Sequence, residues 1–318
     1  MLIDVSAMSH VGMFDLVTVG HFAIDTILSP KITQPRVTLG GPPTYVSVAA
    51  AKLDVKASII SKVGDDFPNE YLAWLQNNNI DLSGLKRVSK ASTTRYILEY
   101  KKWKRKLRLE ARAPPISPAD IPNFLNSEII HVAPISNEIS RKVITKLRKS
   151  ARVLSLDPQG FVRSFDKKGN VGLKRWWESE VLAQIDVFKS ATHEIQAAAG
   201  VRDLKSAMRQ IGDCGIEIII VTRGMKGSTL FFDKQFYDIQ PCKSRTVVDP
   251  TGAGDAYIGA FLAEYARGKD VLWCACVGSA AASFVVEAIG PERFGERHEV
   301  YERAQGIYEK VVGKQLAW

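Results

Sequence analysis

Residues 249–255, Asp-Pro-Thr-Gly-Ala-Gly-Asp, bring a hydroxyl, two glycines and an acid close together. Small and apolar residues follow at helical spacing, which predicts that Gly252 to Asp255 form the first turn of a helix. Glycines let the backbone approach a ligand closely, and the unpaired amides at a helix start favour an anion. A carboxylate beside an anion can accept the proton of a hydroxyl that attacks a phosphate. The alternative is that Thr251 or Asp255 only caps a buried helix, but cap, glycines and acid together favour chemistry.

Other candidate ligand groups follow predicted strands elsewhere in the chain. Strands and helices alternate along most of the sequence, which predicts an α/β fold with a mostly parallel sheet and helices on both faces. Such sheets bind ligands at the carboxyl ends of their strands. The pair Gly40 and Gly41 precedes a small-residue helix and leaves bare backbone for a ligand. The groups that could meet at these strand ends are Asp25, Gly40, Gln159, Glu194, Gly224 and Asp255.

Residues 93–100 and 106–112 have the alternating pattern of a hairpin, with basic residues between the two strands. The alternation indicates strands that leave the main core. They can form an edge hairpin whose lysines deter aggregation, a lid over a site, or both at once. Further along the chain, the patterns of residues 136–149 and 173–184 predict helices.

The composition is that of a globular protein, with 46% hydrophobic and 24% charged residues in 318. A chain of this length can form one large α/β domain or two smaller ones. No apolar run reaches membrane-spanning length, and the sequence start, with Asp4, does not fit a signal peptide. Four cysteines without a CxxC spacing are most simply free thiols in a reducing cytoplasm, where we expect the protein to work. We expect residues 1–13 to be a disordered N-terminal extension.

From about residue 14 to residue 290, the chain resembles the ribokinase-like, or PfkB-type, carbohydrate kinases. The resemblance implies a three-layer fold with a mostly parallel central sheet and a small β lid. The lid would comprise about residues 33–40 and 92–112 of a single kinase domain that spans residues 14–318. ATP and Mg²⁺ would be its cofactors.

Residues 249–255 look like the C-terminal signature of this family, which makes Asp255 the catalytic base. By the same resemblance, the backbone of Gly252, Ala253 and Gly254 forms the anion hole for the transferred phosphoryl group. Asp25 would bind acceptor hydroxyls together with Gly40 and Gly41. Glu194 would organise Mg²⁺ through water. The resemblance assigns the nucleotide to Lys189, Thr222, Arg223, Gly224, Gly227 and Ser279.

The chain departs from the family pattern at two positions. Tyr45 replaces an Asn that many members carry in the acceptor motif, and Ala191 replaces the Asn that precedes Glu194 in the metal motif. Residues 157–163 and 109–116 are similar to segments of archaeal myo-inositol kinases. That similarity implies a myo-inositol-like polyol as acceptor, in a pocket that includes Tyr45, Gln159 and Arg163.

Three alternatives remain open. The acceptor can be a nucleoside, with Tyr45 either stacking on the base or belonging to the core. The net charge of +9 and the basic residues 101–108 also fit a nucleic-acid-binding protein, but that interpretation leaves residues 251–255 unexplained. A third alternative is a relative that senses a ligand without turnover. We expect no membrane or nucleic-acid partner, and we expect a homodimer formed through the lid strands.

Overall fold

The computed structural model describes residues 14–30, 32–101, 104–123 and 125–315. The predicted N-terminal extension, residues 1–13, lies outside the described residues. The strands, in chain order, are β1 (Phe14–Val19), β2 (Ala23–Leu28), β3 (Arg36–Gly40), β4 (Ala57–Gly64), β5 (Ile80–Val88), β6 (Thr94–Lys101), β7 (Lys104–Ala111), β8 (Ser127–Val132), β9 (Ala151–Leu156), β10 (Arg163–Phe165), β11 (Val171–Leu173), β12 (Val187–Ala191), β13 (Ile218–Thr222), β14 (Ser228–Phe232) and β15 (Gln235–Ile239).

The helices, in chain order, are α1 (Pro42–Ala51), α2 (Asn69–Asn77), α3 (Arg141–Arg148), α4 (Gln159–Val162), α5 (Ser179–Leu182), α6 (Thr192–Ala199), α7 (Leu204–Gly212), α8 (Ala253–Ala266), α9 (Val271–Val285) and α10 (Arg297–Gln315). Within the described ranges, no helix is both long and apolar enough to cross a membrane.

The central sheet has nine strands in the order β15-β14-β13-β12-β9-β8-β1-β4-β5. Its strands pair in parallel except at β13–β14 and β14–β15, so the predicted mostly parallel sheet is confirmed. Strand interiors such as Ile218–Thr222 are buried on both faces, which explains their continuous apolar sequence. Helices α1, α8, α9 and α10 supply the core on one face, and α3, α6 and α7 supply it on the other. The result is three layers.

A second sheet of four strands has the order β3-β2-β6-β7, and we call it the small sheet. It contains both segments that were predicted to form the lid, and β2 joins them. Strand β2 pairs with β3 in antiparallel and with β6 in parallel orientation. This pairing brings Asp25 opposite Thr38 on one side and Tyr96 on the other. The small sheet therefore carries a candidate acceptor-binding residue, Asp25, on its inner strand β2.

Two predicted helices were wrong in extent. Helix α3 begins only at Arg141, because the carboxylate of Glu138 accepts the amides of Ile135 and Ser136 and so fixes a turn before it. In the segment 173–184, Leu173 ends β11, residues 174–178 belong to no helix or strand, and only Ser179–Leu182 is helical. Trp176 stacks on Phe161 with 4.8 Å between the ring centroids. This contact packs the segment against the core in a conformation that is not helical.

Candidate active site

The loop before α8 is fixed by its own side chains. Asp249 Oδ1 accepts hydrogen bonds from the Thr251 amide at 3.0 Å and from Thr251 Oγ1 at 2.7 Å, and Oδ2 accepts one from the Gly290 amide. Gly252 then caps α8 with φ of 76°, a left-handed conformation that favours glycine. The first amides of a helix have no partner within it, so those of Gly254 and Asp255 are donors for an anion. Helix α8 therefore begins at Ala253, within the turn Gly252 to Asp255 that the sequence pattern predicted.

Asp255 lies in the first turn of α8 beside a buried ion pair. Lys189 Nζ, on β12, donates to Asp157 Oδ2 at 2.6 Å and lies 3.9 Å from Asp255 Oδ1. Burial alone would lower the pKa of Lys189, but the charges of Asp157 and Asp255 raise it, so the group is a cation. Burial raises the pKa of Asp255 to about 6, against the opposing effect of Lys189. This carboxylate is therefore a stronger base than an exposed aspartate and still ionises near neutral pH.

Gly254 makes room for that cation. A Cβ at this position would lie 3.0 Å from Lys189 Nζ and 3.9 Å from Thr222 Oγ1. The start of α8, the end of β12 and the end of β13 therefore meet at Gly254. Two residues predicted to bind the nucleotide, Lys189 and Thr222, are thus adjacent to the predicted anion hole.

The predicted acceptor residues Asp25, Gly40 and Gly41 also come together. Asp25 is 5% exposed, and a Cβ on Gly40 would lie only 2.0 Å from its Oδ2, so the glycine leaves space for the carboxylate. Gly41 caps the start of α1 with φ of 85°. A Cβ on Gly41 would lie 2.5 Å from the carbonyl oxygen of His21. Burial raises the pKa of Asp25 to about 7, and the charge of Arg105 opposes that rise. A carboxylate of this kind can accept hydrogen bonds from sugar hydroxyls.

Gln159 and Arg163 form a buried pair at either end of the short helix α4. Arg163 Nη2 donates to Gln159 Oε1 at 2.6 Å, and Nη1 donates to the Ile135 carbonyl at 3.0 Å. The guanidinium lies over the Tyr96 ring of the small sheet, 5.8 Å from its centroid. The charge of Arg163 also reaches Asp25 and Asp255, where it opposes the rise in pKa of both carboxyls. The pair therefore lies on the acceptor side of the site.

Tyr45 lies in the core. Its side chain is 1% exposed and packs beneath Gly252, where a Cβ would lie 2.3 Å from the ring. Its ring centroid is 6.2 Å from that of Phe294. Of the two roles weighed for this residue, the structure favours a core residue that supports the start of α8. Its hydroxyl is buried and has no hydrogen-bond partner among the described residues.

The remaining predicted nucleotide residues are more dispersed. Arg223, directly after β13, forms an ion pair at 2.9 Å with Asp238 on β15. Gly224 and Gly227 have φ of 58° and 80° and shape the turn between β13 and β14. Ser279, on α9, accepts the Cys242 amide and donates to the Gln240 carbonyl. These residues outline the edge of the site at β13 and α9 and have contacts separate from those of Asp255.

The metal prediction rests on a single carboxylate. Glu194 Oε2 accepts the Ala191 amide at 2.9 Å at the start of α6, and the charge of Glu194 contributes to the raised pKa of Lys189. The described residues contain no group of three His, Cys, Asp or Glu side chains that could hold a metal. Mg²⁺ commonly binds proteins through one or two carboxylates, phosphate oxygens and water. Glu194 fits a site of that kind, whereas the described residues do not form a metal site made of protein ligands alone.

Three residues with contacts in the site were missed as candidates. Asp157 pairs with Lys189, and its position directly after β9 was a signal for it. The hydroxyl of Tyr100, on β6, lies 2.6 Å from Thr251 Oγ1. Arg105, on β7, was counted only as part of the basic cluster 101–108. The alternation of its strand was the signal, because alternate residues of a strand face opposite sides.

Comparison with known proteins identifies the family and the fold of the chain. The family model described as pfkB family carbohydrate kinase matches residues 13–295. A cytidine kinase from Thermococcus kodakarensis is 28% identical over 285 residues, which cover 87% of this chain and 98% of that protein. A nucleoside kinase from Methanocaldococcus jannaschii is 30% identical, with 88% and 93% covered. The solved structure of a pyrophosphate-dependent kinase of the ribokinase family, complexed with a pyrophosphate analog and myo-inositol, has a TM-score of 0.77 at 24% identity, with 90% and 99% covered.

Proposed function

The chain belongs to the pfkB family of carbohydrate kinases, and we propose that it transfers a phosphoryl group from ATP to a hydroxyl of a nucleoside. One observation carries the proposal: Asp255 lies at a helix start, with first-turn amides beside it and the Lys189 cation 3.9 Å away. This arrangement combines a base with donors for a phosphate. The nucleoside is favoured as acceptor because two relatives that span nearly the whole chain at 28% and 30% identity are a cytidine and a nucleoside kinase.

A myo-inositol-like polyol is the second candidate acceptor. The buried Gln159–Arg163 pair supports it, because an amide and a guanidinium offer hydrogen bonds that suit a ring with many hydroxyls. The inositol-binding structure shares the fold with this chain, but at 24% identity that likeness does not extend to the substrate. The acceptor favoured from the sequence therefore ranks below the nucleoside.

In the proposed reaction, Asp25 and the backbone of Gly40 and Gly41 hold the acceptor hydroxyls. Asp255 accepts the proton of the attacking hydroxyl while the new oxygen–phosphorus bond forms and the bond to the leaving ADP breaks. Lys189 and the first-turn amides of α8 stabilise the charge on the phosphoryl oxygens as preorganised donors. Bound Mg²⁺, held through water by Glu194, would neutralise charge on the phosphates.

The raised pKa of Asp255 suits this role. A base with a pKa of about 6 is ionised at neutral pH and is more basic than an exposed aspartate. Because only the ionised form can accept the proton, kcat/KM should rise with pH up to about 6 and then level off. This behaviour follows from burial, and Lys189 limits how far burial raises the pKa.

The basic segment 101–108 is balanced in part by its own strands. Lys101 pairs with Glu99 at 2.9 Å and Arg108 with Glu110 at 3.0 Å. These exposed pairs weaken the nucleic-acid alternative. The homodimer through the small sheet stays a prediction: Val37 is 56% exposed on the edge strand β3, while Leu107 and Leu109 pack with Phe165 of the same chain.

The proposal is tested with Asp255→Asn and a panel of acceptors. Wild type is assayed with ATP or pyrophosphate as donor and with cytidine, other nucleosides, myo-inositol, ribose and fructose. We expect a nucleoside to give the highest kcat/KM and Asp255→Asn to lower it by about 10²–10⁴-fold. Asp233→Asn is the matched control, because Asp233 lies in an exposed turn with φ of 49° that Asn also adopts. Near wild-type turnover by Asp255→Asn would refute the assignment of the base.

A further inference from the structure

The pairing of β6 with β7 divides the basic segment 101–108 between two faces. Tyr100 lies opposite Arg105, Leu98 opposite Leu107, and Tyr96 opposite Leu109. Residues paired across an antiparallel sheet share a face, and neighbours along a strand alternate between faces. Arg105 therefore shares a face with these tyrosines and leucines. Lys106 and Arg108 lie on the opposite face.

The face with Arg105 is the one directed at the active site. Tyr96 lies opposite Asp25 in the pairing of β2 with β6, so Asp25 belongs to this face as well. The Tyr100 hydroxyl lies 2.6 Å from Thr251 Oγ1. Because Thr251 Oγ1 donates its one proton to Asp249, the Tyr100 hydroxyl must be the donor to Thr251. The tip of the small sheet is thus hydrogen-bonded to the loop that begins α8.

The pairing with Tyr100 puts Arg105 next to the strand residue that contacts the loop before α8. The Arg105 guanidinium hydrogen-bonds Tyr100 and is attracted to Glu194 on the donor side and to Asp25 on the acceptor side. Its charge is the largest opposing influence on the raised pKa of Asp25. As a residue Arg105 is exposed, although desolvation of its guanidinium opposes the raised pKa of the group. Lys189, the other cation of the site, approaches the start of α8 from β12.

We propose that Arg105 contacts the phosphoryl group during its transfer, on the side opposite to Lys189 and the first-turn amides of α8. This inference rests on the proposed kinase function and adds to it a catalytic residue supplied by the small sheet. The group in transfer spreads negative charge over three equatorial oxygens. A guanidinium is always charged and offers a planar set of donors that suits two such oxygens. Arg105 transfers no proton, because Asp255 receives the one released by the acceptor.

The test compares Arg105→Gln with Lys106→Gln. Each variant removes one positive charge from neighbouring positions of β7, and only the first removes it from the face directed at the site. We expect Arg105→Gln to lower kcat by about 100-fold or more with little change in the KM of the acceptor. Lys106→Gln should stay within about 2-fold of wild type. Added guanidinium ion should restore part of the turnover of Arg105→Ala, which a purely structural role would not allow.

A second measurement does not depend on the acceptor. By titration calorimetry, Arg105→Gln should bind ATP about 10-fold more weakly than wild type and should bind ADP equally well, because only ATP carries the group to be transferred. If wild type phosphorylates no acceptor but shows this difference, the proposed transfer to a nucleoside fails, whereas the contact of Arg105 with the terminal phosphoryl group of ATP stands. Equal binding of ATP by Arg105→Gln and Lys106→Gln would overturn the inference. A rise confined to the KM of the acceptor would also overturn it, because Arg105 would then contact the acceptor.

Discussion

The two sides of the active site are built in different ways. Residues 249–255 are contiguous, and the side chain of Asp249 fixes their loop through two hydrogen bonds to Thr251, only two residues away. The small sheet instead brings Asp25 beside Tyr96 through the pairing of distant strands. The base and the anion-binding amides are thus encoded in one local segment. The groups that meet the acceptor depend on the register of a sheet, which a few substitutions can alter.

Each side also has an acid that is influenced by a cation, but their surroundings differ. Asp255 lies near Lys189, which is 4% exposed and bonded to a second carboxylate, Asp157. Asp25 is buried, and the charge that most opposes the rise in its pKa is that of Arg105, an exposed residue. A buried ion pair has a fixed geometry, whereas an exposed arginine can adjust to a ligand. We infer that the α8 side supplies the base and the anion-binding amides, whereas the small sheet sets the substrate and adds Arg105 to the group in transfer.

The largest effect is expected for Gly252→Ala on the α8 side. Alanine disfavours φ of 76°, and its Cβ would lie 2.3 Å from the ring of the fully buried Tyr45. The loop or the helix start must therefore move. We expect kcat to fall by more than about 100-fold for every acceptor and the free energy of unfolding to fall by about 2–4 kcal/mol. Steady-state kinetics across the acceptor panel and urea unfolding measure the two effects.

Gly268→Ala is the control at the other end of α8. Gly268 has φ of 69°, close to that of Gly252, but a Cβ there would meet nothing within 4 Å. This variant should cost about 1 kcal/mol of unfolding free energy and should leave kcat unchanged. If Gly252→Ala kept its turnover, or if it changed the ranking of acceptors, the division of roles between the two sides would be wrong.

This division explains which parts of the structure the sequence predicted. The start of α8 was predictable, because a cap, two glycines and an acid within residues 249–255 determine it locally. The central sheet was predictable from strands such as Ile218–Thr222, whose apolar run is continuous. The role of Arg105 was not recognised, because it depends on which residue of β6 lies opposite it. Tyr45 was left between two roles, because its burial depends on the packing of α1 beneath α8.

The next largest effect is expected in the free energy of unfolding, which allows the carboxyls of Asp255 and Asp25 to be compared. Folding raises the pKa of Asp255 to about 6 and that of Asp25 to about 7, from an ordinary value of 3.8. A raised pKa means that the folded state disfavours the ionised carboxylate, so the free energy of unfolding falls as pH rises from about 4 to the folded pKa. Asp255→Asn and Asp25→Asn should each stabilise the protein at about pH 8 by on the order of 2 kcal/mol.

Urea unfolding at two pH values checks this expectation. Near pH 4 most of each carboxyl is protonated in the folded state, so the gain should shrink to less than about 1 kcal/mol. Kinetics then separate the two sides. Asp255→Asn should reduce turnover for all acceptors, whereas Asp25→Asn should change their ranking. A gain in stability of the same size at both pH values would show that ionisation is not its cause.

The smallest effect is expected for Tyr45→Phe. The Tyr45 hydroxyl is buried without a partner among the described residues, so removing it relieves an unsatisfied donor. We expect a gain of up to about 1 kcal/mol in unfolding free energy and turnover within about 3-fold of wild type for each acceptor. Tyr100→Phe is the matched comparison on the small sheet, where the lost hydroxyl is bonded to Thr251 at 2.6 Å.

Tyr100→Phe should lower kcat/KM by about 5- to 10-fold, because it removes the hydrogen bond between the small sheet and the loop before α8. The two variants delete the same atom from the same residue type, one beneath the start of α8 and one on the small sheet. If Tyr45→Phe shifted the acceptor ranking and Tyr100→Phe did not, the Tyr45 ring would have to reach the ligand. Its burial beneath Gly252 argues against that, because a ring at 1% exposure contacts protein on all sides.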